Sequence, residues 1–253
     1  MSYELISPIF PRTDVFIEYL DEEIKNFDSS IIKFNDTLHP KFFNEEDNLL
    51  KENVRKLLIN IVNYFLKSIE ENIIIDTVTI TGSIVNYNYN KYSDIDLHFI
   101  IDKNDYNKEN FESIIDNFNT KAKLWNYEHE NIKMFNHNIE IYIQEKSEKH
   151  TSTGVYDLLK NNWINKPEKQ YKDIDIDYLK SKFNKITQKV DYIISQNNLE
   201  KIEQFIDNIK LYRKAGLESE GEYSYENIIY KMLKHFGYMS KLYDYKRKGN
   251  ITK

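Results

Sequence analysis

The chain has 253 residues, a formal net charge of -6 and no cysteine. This length allows one large domain or two modest ones, each with a hydrophobic core. Without cysteine there is no disulfide, zinc–thiolate site or thiol nucleophile. The acidic balance argues against a protein that coats long nucleic acid non-specifically, although it permits a local basic patch. No apolar run approaches the roughly 20 residues of a membrane-spanning helix, and the first residues lack the form of a signal peptide, so we expect a cytoplasmic protein with no membrane partner.

The first half of the chain predicts helices followed by strands. Apolar residues recur at helical spacing over 13–27, behind Thr13 as a candidate N-cap, and more strongly over 46–71. The sequence IIIDTVTITGS is then rich in β-branched residues and alternates as a strand does. Two further strands are predicted at 94–101 and 138–144, with a helix between them over about 107–126.

The second half predicts helices alone. After Pro167 the strand signals stop, and three segments have helical periodicity. Gly216 is predicted to end the second helix as its C′ residue, and Ser224 to cap the third. The sequence therefore predicts an α+β domain at residues 1–167, including the N-terminal helices, and a helical domain at 168–253.

Paired acidic residues are the strongest chemical signal. In a strand, alternate side chains share a face, so Asp94 and Asp96 project together while Ile95 and Leu97 face the core. Two carboxylates about 5–6 Å apart repel each other by roughly 3 kcal/mol at an effective dielectric near 20, and a cation would relieve this. Glu140 alternates with isoleucines of the buried face in NIEIYIQ. It would add a third carboxylate if its strand lies beside the strand that carries Asp94 and Asp96. Carboxylate oxygens without histidine or cysteine favour magnesium over zinc.

Gly82 and Ser83 supply a complementary anion site. A glycine directly after a strand allows close backbone approach, and Ser83 can open a helix whose free N–H groups face an anion. The serine hydroxyl can donate to a phosphate. Triphosphate at Gly82–Ser83, bridged by metal to the paired aspartates, makes a coherent arrangement.

This succession of strand, Gly-Ser, Asp-x-Asp in the next strand and a later strand carboxylate resembles the DNA polymerase β-like nucleotidyltransferases. The family includes kanamycin nucleotidyltransferase, tRNA-terminal adding enzymes, poly(A) polymerases and cyclic-dinucleotide synthases. The segment GSIVNYNYNKYSDIDLH is also similar to segments of uncharacterised nucleotidyltransferase-like proteins of large bacteriophages. The resemblance spans about residues 74–145. Many relatives have an Arg or a Gly-rich turn after Gly-Ser, where this chain has Ile84-Val85-Asn86-Tyr87.

The resemblance implies a fold and an activity. The fold would be a nucleotidyltransferase core, a short mixed β-sheet backed by helices, with a helical domain following it and a cleft between the two. Asp94, Asp96 and Glu140 would be catalytic and bind two Mg²⁺ ions, with Mn²⁺ as a substitute, while Gly82 and Ser83 bind the phosphates of a nucleoside triphosphate. The expected reaction moves a nucleotidyl group, from ATP by analogy, to a hydroxyl of a small molecule, an RNA end or a protein. The alternative is a catalytically silent nucleotide- or RNA-binding module, such as an antitoxin-like partner.

Other candidate contacts have two interpretations each. Lys210, Arg213 and Lys214 share a helix face and would either hold phosphates in the cleft or form a solvated surface. Lys91 could meet phosphates and Tyr87, Tyr89 and Tyr92 could stack on a base, or all could belong to a surface loop. For His98 a structural role is favoured over substrate contact. Tyr156 and Trp163 are expected to pack at the domain junction, and Glu222 and Glu226 to be structural or exposed.

Overall fold

The computed structural model describes residues 29–69, 73–107, 109–150, 152–169 and 172–251. The helix predicted over 13–27 lies outside these ranges. In chain order the elements are α1 (Glu52–Ser68), β1 (Thr77–Thr81), a 3₁₀ turn (Ser83–Val85), β2 (Ile95–Ile101), α2 (Phe111–Glu128), β3 (Lys133–Met134), β4 (His137–Glu145), β5 (Val155–Asp157), β6 (Asn162–Asn165), α3 (Ile176–Ser195), α4 (Leu199–Glu220), α5 (Tyr225–His235) and α6 (Tyr238–Ile251).

The described strands form one mixed sheet in the order β3-β4-β2-β1-β5-β6. β1 runs antiparallel to both β2 and β5, whereas β2 and β4 are parallel. A parallel pair requires a crossover, and α2 provides it between β2 and β4. This confirms the predicted α+β architecture, a short mixed sheet with helices followed by C-terminal helices.

Two hydrophobic clusters account for most of the buried side chains. The first joins α1 and α2 to the sheet, with Leu58, Phe65 and Phe99 fully buried. The second is formed mainly by α3 to α6. The boundary proposed near residue 167 stays a prediction. Among the described residues, no helix is both long and apolar enough to cross a bilayer.

The sequence missed β3, β5 and β6, which are short. Tyr156 in β5 is fully buried, and its ring lies edge-on to Trp163 of β6, with centroids 4.9 Å apart. Its hydroxyl accepts a hydrogen bond from the backbone N–H of Leu50 at 3.2 Å. These aromatic side chains therefore join the sheet edge to the segment before α1.

Two helix boundaries differ from the prediction at glycines. Gly216 lies inside α4, and a Cβ there would meet the Glu226 Cβ at 2.5 Å, so this glycine allows close packing and does not end the helix. α4 continues to Glu220 and ends at Gly221, whose φ of 74° favours glycine. The third predicted helix is broken at Gly237, φ 78°, into α5 and α6. Ser224 caps α5 as predicted, accepting a hydrogen bond from the N–H of Asn227.

Candidate active site

A cavity of about 640 Å³ lies between one face of the sheet and helices α4 and α5. Its sheet side is formed by the turn after β1, the loop before β2, the β3–β4 hairpin and outward-facing residues of β2 and β4. Its helical side carries polar and basic residues from α4, the turn after it and α5. That side is lined by Arg213, Leu217, Glu222, Asn227, Tyr230, Lys231, Lys234 and His235.

The three predicted carboxylates converge at the sheet side of this cavity. Asp96 of β2 and Glu140 of β4 are direct register partners in the parallel pair, and Asp94 lies just before β2. All three are partly buried and line the cavity, whereas Ile95 and Ile139 beside them are buried in the core. The period-two alternation therefore projects the carboxylates on one face, as predicted.

The turn formed by Gly82 and Ser83 lies against Asp96. Thr81, the last residue of β1, pairs with Asp96, and Gly82 then adopts a φ of 79°. A Cβ on Gly82 would lie 2.2 Å from the Asp96 Oδ2, so only glycine fits here without displacing the carboxylate. The Ser83 and Ser93 hydroxyls are hydrogen-bonded at 2.7 Å, which joins the turn to the loop before Asp94.

Lys234 of α5 bridges two of the carboxylates. Its Nζ lies 2.7 Å from the Asp94 Oδ2 and 3.1 Å from the Glu140 Oε1. Burial lowers the pKa of Lys234, but Glu140 and Asp94 outweigh this effect and raise it above its ordinary value. The other carboxylate oxygen of Glu140, Oε2, accepts a short hydrogen bond from the Tyr142 hydroxyl. The helical segment thus supplies a cation to the acidic face of the sheet.

Asp96 carries the largest electrostatic cost in the group. Burial, followed by the charges of Glu140 and Asp94, raises its pKa to about 8, although Lys234 and Arg213 oppose the shift. The pKa of Asp94 is also raised, mainly by burial and against the effect of Lys234. Such shifts arise where carboxylates are crowded without enough positive charge, which is common at functional sites.

The carboxylates have the chemistry of a metal site but not the finished arrangement of one. Across the described ranges, no group of three or more His, Cys, Asp and Glu side chains is placed to hold a metal ion. The Lys234 ammonium lies between Asp94 and Glu140, where a cation would balance the same charges. Three carboxylates without histidine or cysteine still form a donor set that suits a hard divalent cation.

The predicted basic contacts separate into two groups. Lys91 and Arg213 line the cavity. Arg213 Nε donates to the Asn227 Oδ1 at 3.1 Å, and its guanidinium lies 4.5 Å from the centroid of the Tyr230 ring. Lys210 and Lys214 do not line it: Lys210 lies over the ring of Tyr243, and Lys214 faces Glu218 with 68% of its side chain exposed. The helix face predicted as one unit therefore contributes Arg213 alone.

His98 and Tyr92 also line the cavity. The Nδ1 of His98 donates to the Gln144 Oε1 at 2.7 Å, and burial lowers the pKa of His98 to about 4. Its hydrogen bond agrees with the structural role favoured from sequence. The Tyr92 ring packs on His235, with centroids 3.7 Å apart, whereas Tyr87 and Tyr89 pack against the first hydrophobic cluster.

A buried glutamate joins the helical segment to the Gly82–Ser83 turn, and the sequence did not predict this role. Glu222 is 6% exposed. Its Oε1 accepts from the Asn86 Nδ2 at 2.8 Å and from the Ser152 hydroxyl at 2.9 Å, and its Oε2 accepts from the Asn88 Nδ2 at 3.1 Å. Asn86 Nδ2 also donates to the carbonyl of Gly82 at 2.9 Å. Glu222 thereby fixes the asparagine that holds the turn.

Lys231 and Lys234 were likewise missed. Both lie on α5, whose residues Ile229 and Met232 are buried, and both project to the cavity. Burial lowers the pKa of Lys231, against the opposing charge of Glu222. A polar stripe opposite an apolar one was visible in the sequence of α5, but any solvated amphipathic helix has such a stripe.

Comparison with known proteins gives one match. Residues 59–170 match the family model of the nucleotidyltransferase domain. Neither the curated proteins nor the solved structures that were compared include a match to this chain. The matched range contains the Gly82–Ser83 turn, the paired aspartates and Glu140. Together with the mixed sheet and the converging carboxylates, this match identifies residues 59–170 as a nucleotidyltransferase domain of the polymerase β-like family.

Proposed function

We propose that this protein transfers a nucleoside monophosphate from a nucleoside triphosphate, with ATP as the expected donor, to a hydroxyl acceptor and releases pyrophosphate. One observation carries the proposal. Asp94, Asp96 and Glu140 meet the Gly82–Ser83 turn on one wall of a cavity whose opposite wall is basic. Acidic groups that bind cations, opposite basic groups that bind phosphate, are what nucleotidyl transfer requires.

Asp94, Asp96 and Glu140 would hold the magnesium, two ions by analogy with the family and with Mn²⁺ as a substitute. The raised pKa of Asp96 and the position of Lys234 support this assignment, because both reflect a site with an excess of negative charge. When bound, the metal would neutralise charge on the α-phosphate and favour ionisation of the attacking hydroxyl.

The chain's own residues would position the donor. The backbone at Gly82 and the Ser83 hydroxyl would bind phosphate oxygens at the end of β1. Arg213, Lys231 and Lys234 would bind the remaining triphosphate charge from the opposite wall. Lys234 would have to leave Asp94 and Glu140 and turn to the phosphates, so that metal and nucleotide replace its present ion pairs.

The reaction itself is an in-line displacement. The acceptor oxygen forms a bond to the α-phosphorus, and the bond from that phosphorus to the oxygen bridging to the β-phosphate breaks. Pyrophosphate leaves with the bonding electron pair. The hydroxyl proton passes to a carboxylate, Glu140 or Asp96, both of which lie at the sheet side of the cavity.

The test is the fate of two labels. Protein is incubated with Mg²⁺ and with ATP labelled at either the α- or the γ-phosphate, together with fractionated small molecules, RNA and protein from a lysate. We expect the α-label to appear in one of the acceptor fractions and the γ-label only in pyrophosphate. Asp94→Asn and EDTA should each abolish both the transfer of α-label and the release of labelled pyrophosphate. Transfer of γ-label to an acceptor would refute the proposal. Nucleotide binding without any transfer would support the silent binding module instead.

A matched pair of variants tests the phosphate wall. Arg213→Met should raise the KM for ATP at least tenfold, because a charged hydrogen bond to phosphate contributes about 1.5–3 kcal/mol. Lys214→Met, one residue along the helix but outside the cavity, should leave the KM within twofold. Equal effects in the two variants would remove Arg213 from the site.

A further inference from the structure

The sheet order suggests where the acceptor binds, provided that the proposed function holds. In-line displacement places the acceptor and the leaving pyrophosphate on opposite sides of the α-phosphorus. The Gly82–Ser83 turn follows β1, Asp96 lies on the neighbouring β2, Glu140 on β4, and β3 forms the edge beyond it. With the donor phosphates at the β1 end, the acceptor approaches from the side of β4 and β3.

That side is occupied by polar residues of the β3–β4 hairpin. Lys133 is the register partner of Asn138, so the two share a face, and the alternation along β4 puts Glu140 on the same face. Asn136 lies in the two-residue turn, where Phe135 and Asn136 both have positive φ, at 53° and 73°. Lys133, Asn136 and Asn138 all line the cavity.

Asn138 has an unused hydrogen-bonding atom at this position. Its side-chain Oδ1 is buried and has no hydrogen-bond partner among the described residues. Buried polar atoms without partners are uncommon in folded proteins, because each costs about 1–3 kcal/mol. A ligand hydroxyl or amino group beside Asn138 would satisfy this oxygen.

The charges of the cavity decide the class of acceptor. Within the described part of the chain, its acidic lining residues are Asp94, Asp96, Glu140 and Glu222. The first three are assigned to the reaction, and both oxygens of Glu222 accept hydrogen bonds from Asn86, Asn88 and Ser152. A cationic amino sugar would therefore find no carboxylate outside the reacting group. The acceptor side instead presents the exposed Lys133, and Lys91 also lines the cavity.

We propose that Lys133, Asn136 and Asn138 form the acceptor subsite and that the accepting hydroxyl is carried by a nucleotide. A phosphate of the acceptor pairs with Lys133, and the amide groups of the two asparagines bind its sugar or base. The same chemistry is offered by a free mononucleotide and by the end of an RNA strand.

The experiment measures binding to the full chain without turnover. Fluorescent short single-stranded RNA with a free 3′ hydroxyl, fluorescent GMP and fluorescent kanamycin are titrated in Mg²⁺ with α,β-methylene-ATP present. We expect Lys133→Glu to weaken binding of RNA or GMP about tenfold and Lys133→Gln about threefold. Lys123→Glu makes the same charge change at an exposed lysine of α2 outside the cavity and should leave binding unchanged. Asn138→Leu should weaken binding of whichever ligand, RNA or GMP, depends on Lys133.

The outcomes separate this inference from the proposed function. Binding of GMP would identify a mononucleotide acceptor. Binding of RNA but not of GMP would identify the end of an RNA strand. Either result supports the subsite if Lys133→Glu weakens that binding. Tight kanamycin binding that is insensitive to Lys133→Glu, or RNA and GMP binding equal in Lys133→Glu and Lys123→Glu, would overturn it. Failure of the wild type to bind α,β-methylene-ATP would instead overturn the proposed function.

Discussion

Replacing Asp96 with asparagine removes a charge that the metal-free fold accommodates at a cost. Asp96 faces Glu140 across the parallel strand pair and lies against Gly82, and neither residue provides a positive charge. Burial, Glu140 and Asp94 raise its pKa from 3.8 to about 8. Asparagine has nearly the same shape and stays neutral, so it removes this cost without creating a cavity.

The sign of the effect follows from linkage. A carboxyl whose pKa is raised by folding binds its proton more tightly in the native state, so the free energy of unfolding falls as pH rises from about 4 to about 8. While Asp96 remains protonated, the slope is about 1.4 kcal/mol per pH unit at most. Between pH 6.5 and 8.5, with partial ionisation of Asp96 included, we expect the wild type to lose about 1–2 kcal/mol that the variant retains.

This pH window avoids a competing effect of three histidines. Burial lowers the pKa of His39 and His98 to about 4 and also lowers the pKa of His150, so these residues make the protein less stable as pH falls below 6.5. Above pH 6.5 they are mainly neutral in the folded and unfolded states alike. Asp94, whose pKa is also raised, should leave a smaller residual slope in the variant.

The assay is urea unfolding in EDTA at several pH values between 6.5 and 8.5, for the wild type, Asp96→Asn and the control Asp116→Asn. Asp116 is an exposed carboxylate on α2. The free energy of unfolding of Asp96→Asn, relative to the wild type, should rise across this range, whereas the control should follow the wild type. Parallel pH profiles for Asp96→Asn and the wild type would refute the electrostatic account of this site.

Two further predictions concern the Gly82–Ser83 turn and the buried Glu222 that supports it. Gly82→Ala should lower the free energy of unfolding by about 1–3 kcal/mol and abolish nucleotidyl transfer. The backbone φ at this position is 79°, and the added Cβ would lie 2.2 Å from the Asp96 Oδ2. Urea unfolding and activity equal to those of the wild type would contradict this geometry. Glu222→Gln should cost about 1–3 kcal/mol, because an amide NH₂ would face an asparagine donor. Glu218→Gln, exposed on α4, is its control, and an equal loss in both variants would remove Glu222 from the network.

Local rules were sufficient to predict the acidic wall. The alternation of buried and polar residues in DIDLHFII and NIEIYIQ predicted that Asp94, Asp96 and Glu140 project away from the core. The sequence did not show whether the two strands are neighbours in the sheet. In the structure they are neighbours, with Asp96 paired with Glu140 in parallel register. The turn at Gly82 was predictable for a related reason, since a glycine directly after a strand indicates close backbone approach.

The residues of α4 and α5 that line the cavity could not be predicted in this way. Which face of an amphipathic helix meets solvent and which meets another part of the protein depends on packing between segments distant in sequence. Arg213 and Lys214 are adjacent, yet only Arg213 lines the cavity, because α4 presents that one residue to Asn227 and Tyr230 of α5. The prediction that Gly216 ends a helix was wrong for a similar reason, since the close contact of Gly216 with Glu226 is tertiary.

The sequence by itself therefore determined the acidic residues, the glycine turn and the nucleotidyltransferase domain, because these depend on strand periodicity and on short spacings along the chain. Only the tertiary structure decided which charges face them. Lys234 lies 140 residues from Asp94 in the chain but 2.7 Å from it in the fold, and Glu222 lies 136 residues from Asn86 but 2.8 Å from it. Pairings of this kind arise when two separately packed hydrophobic clusters dock, and no local pattern specifies that docking.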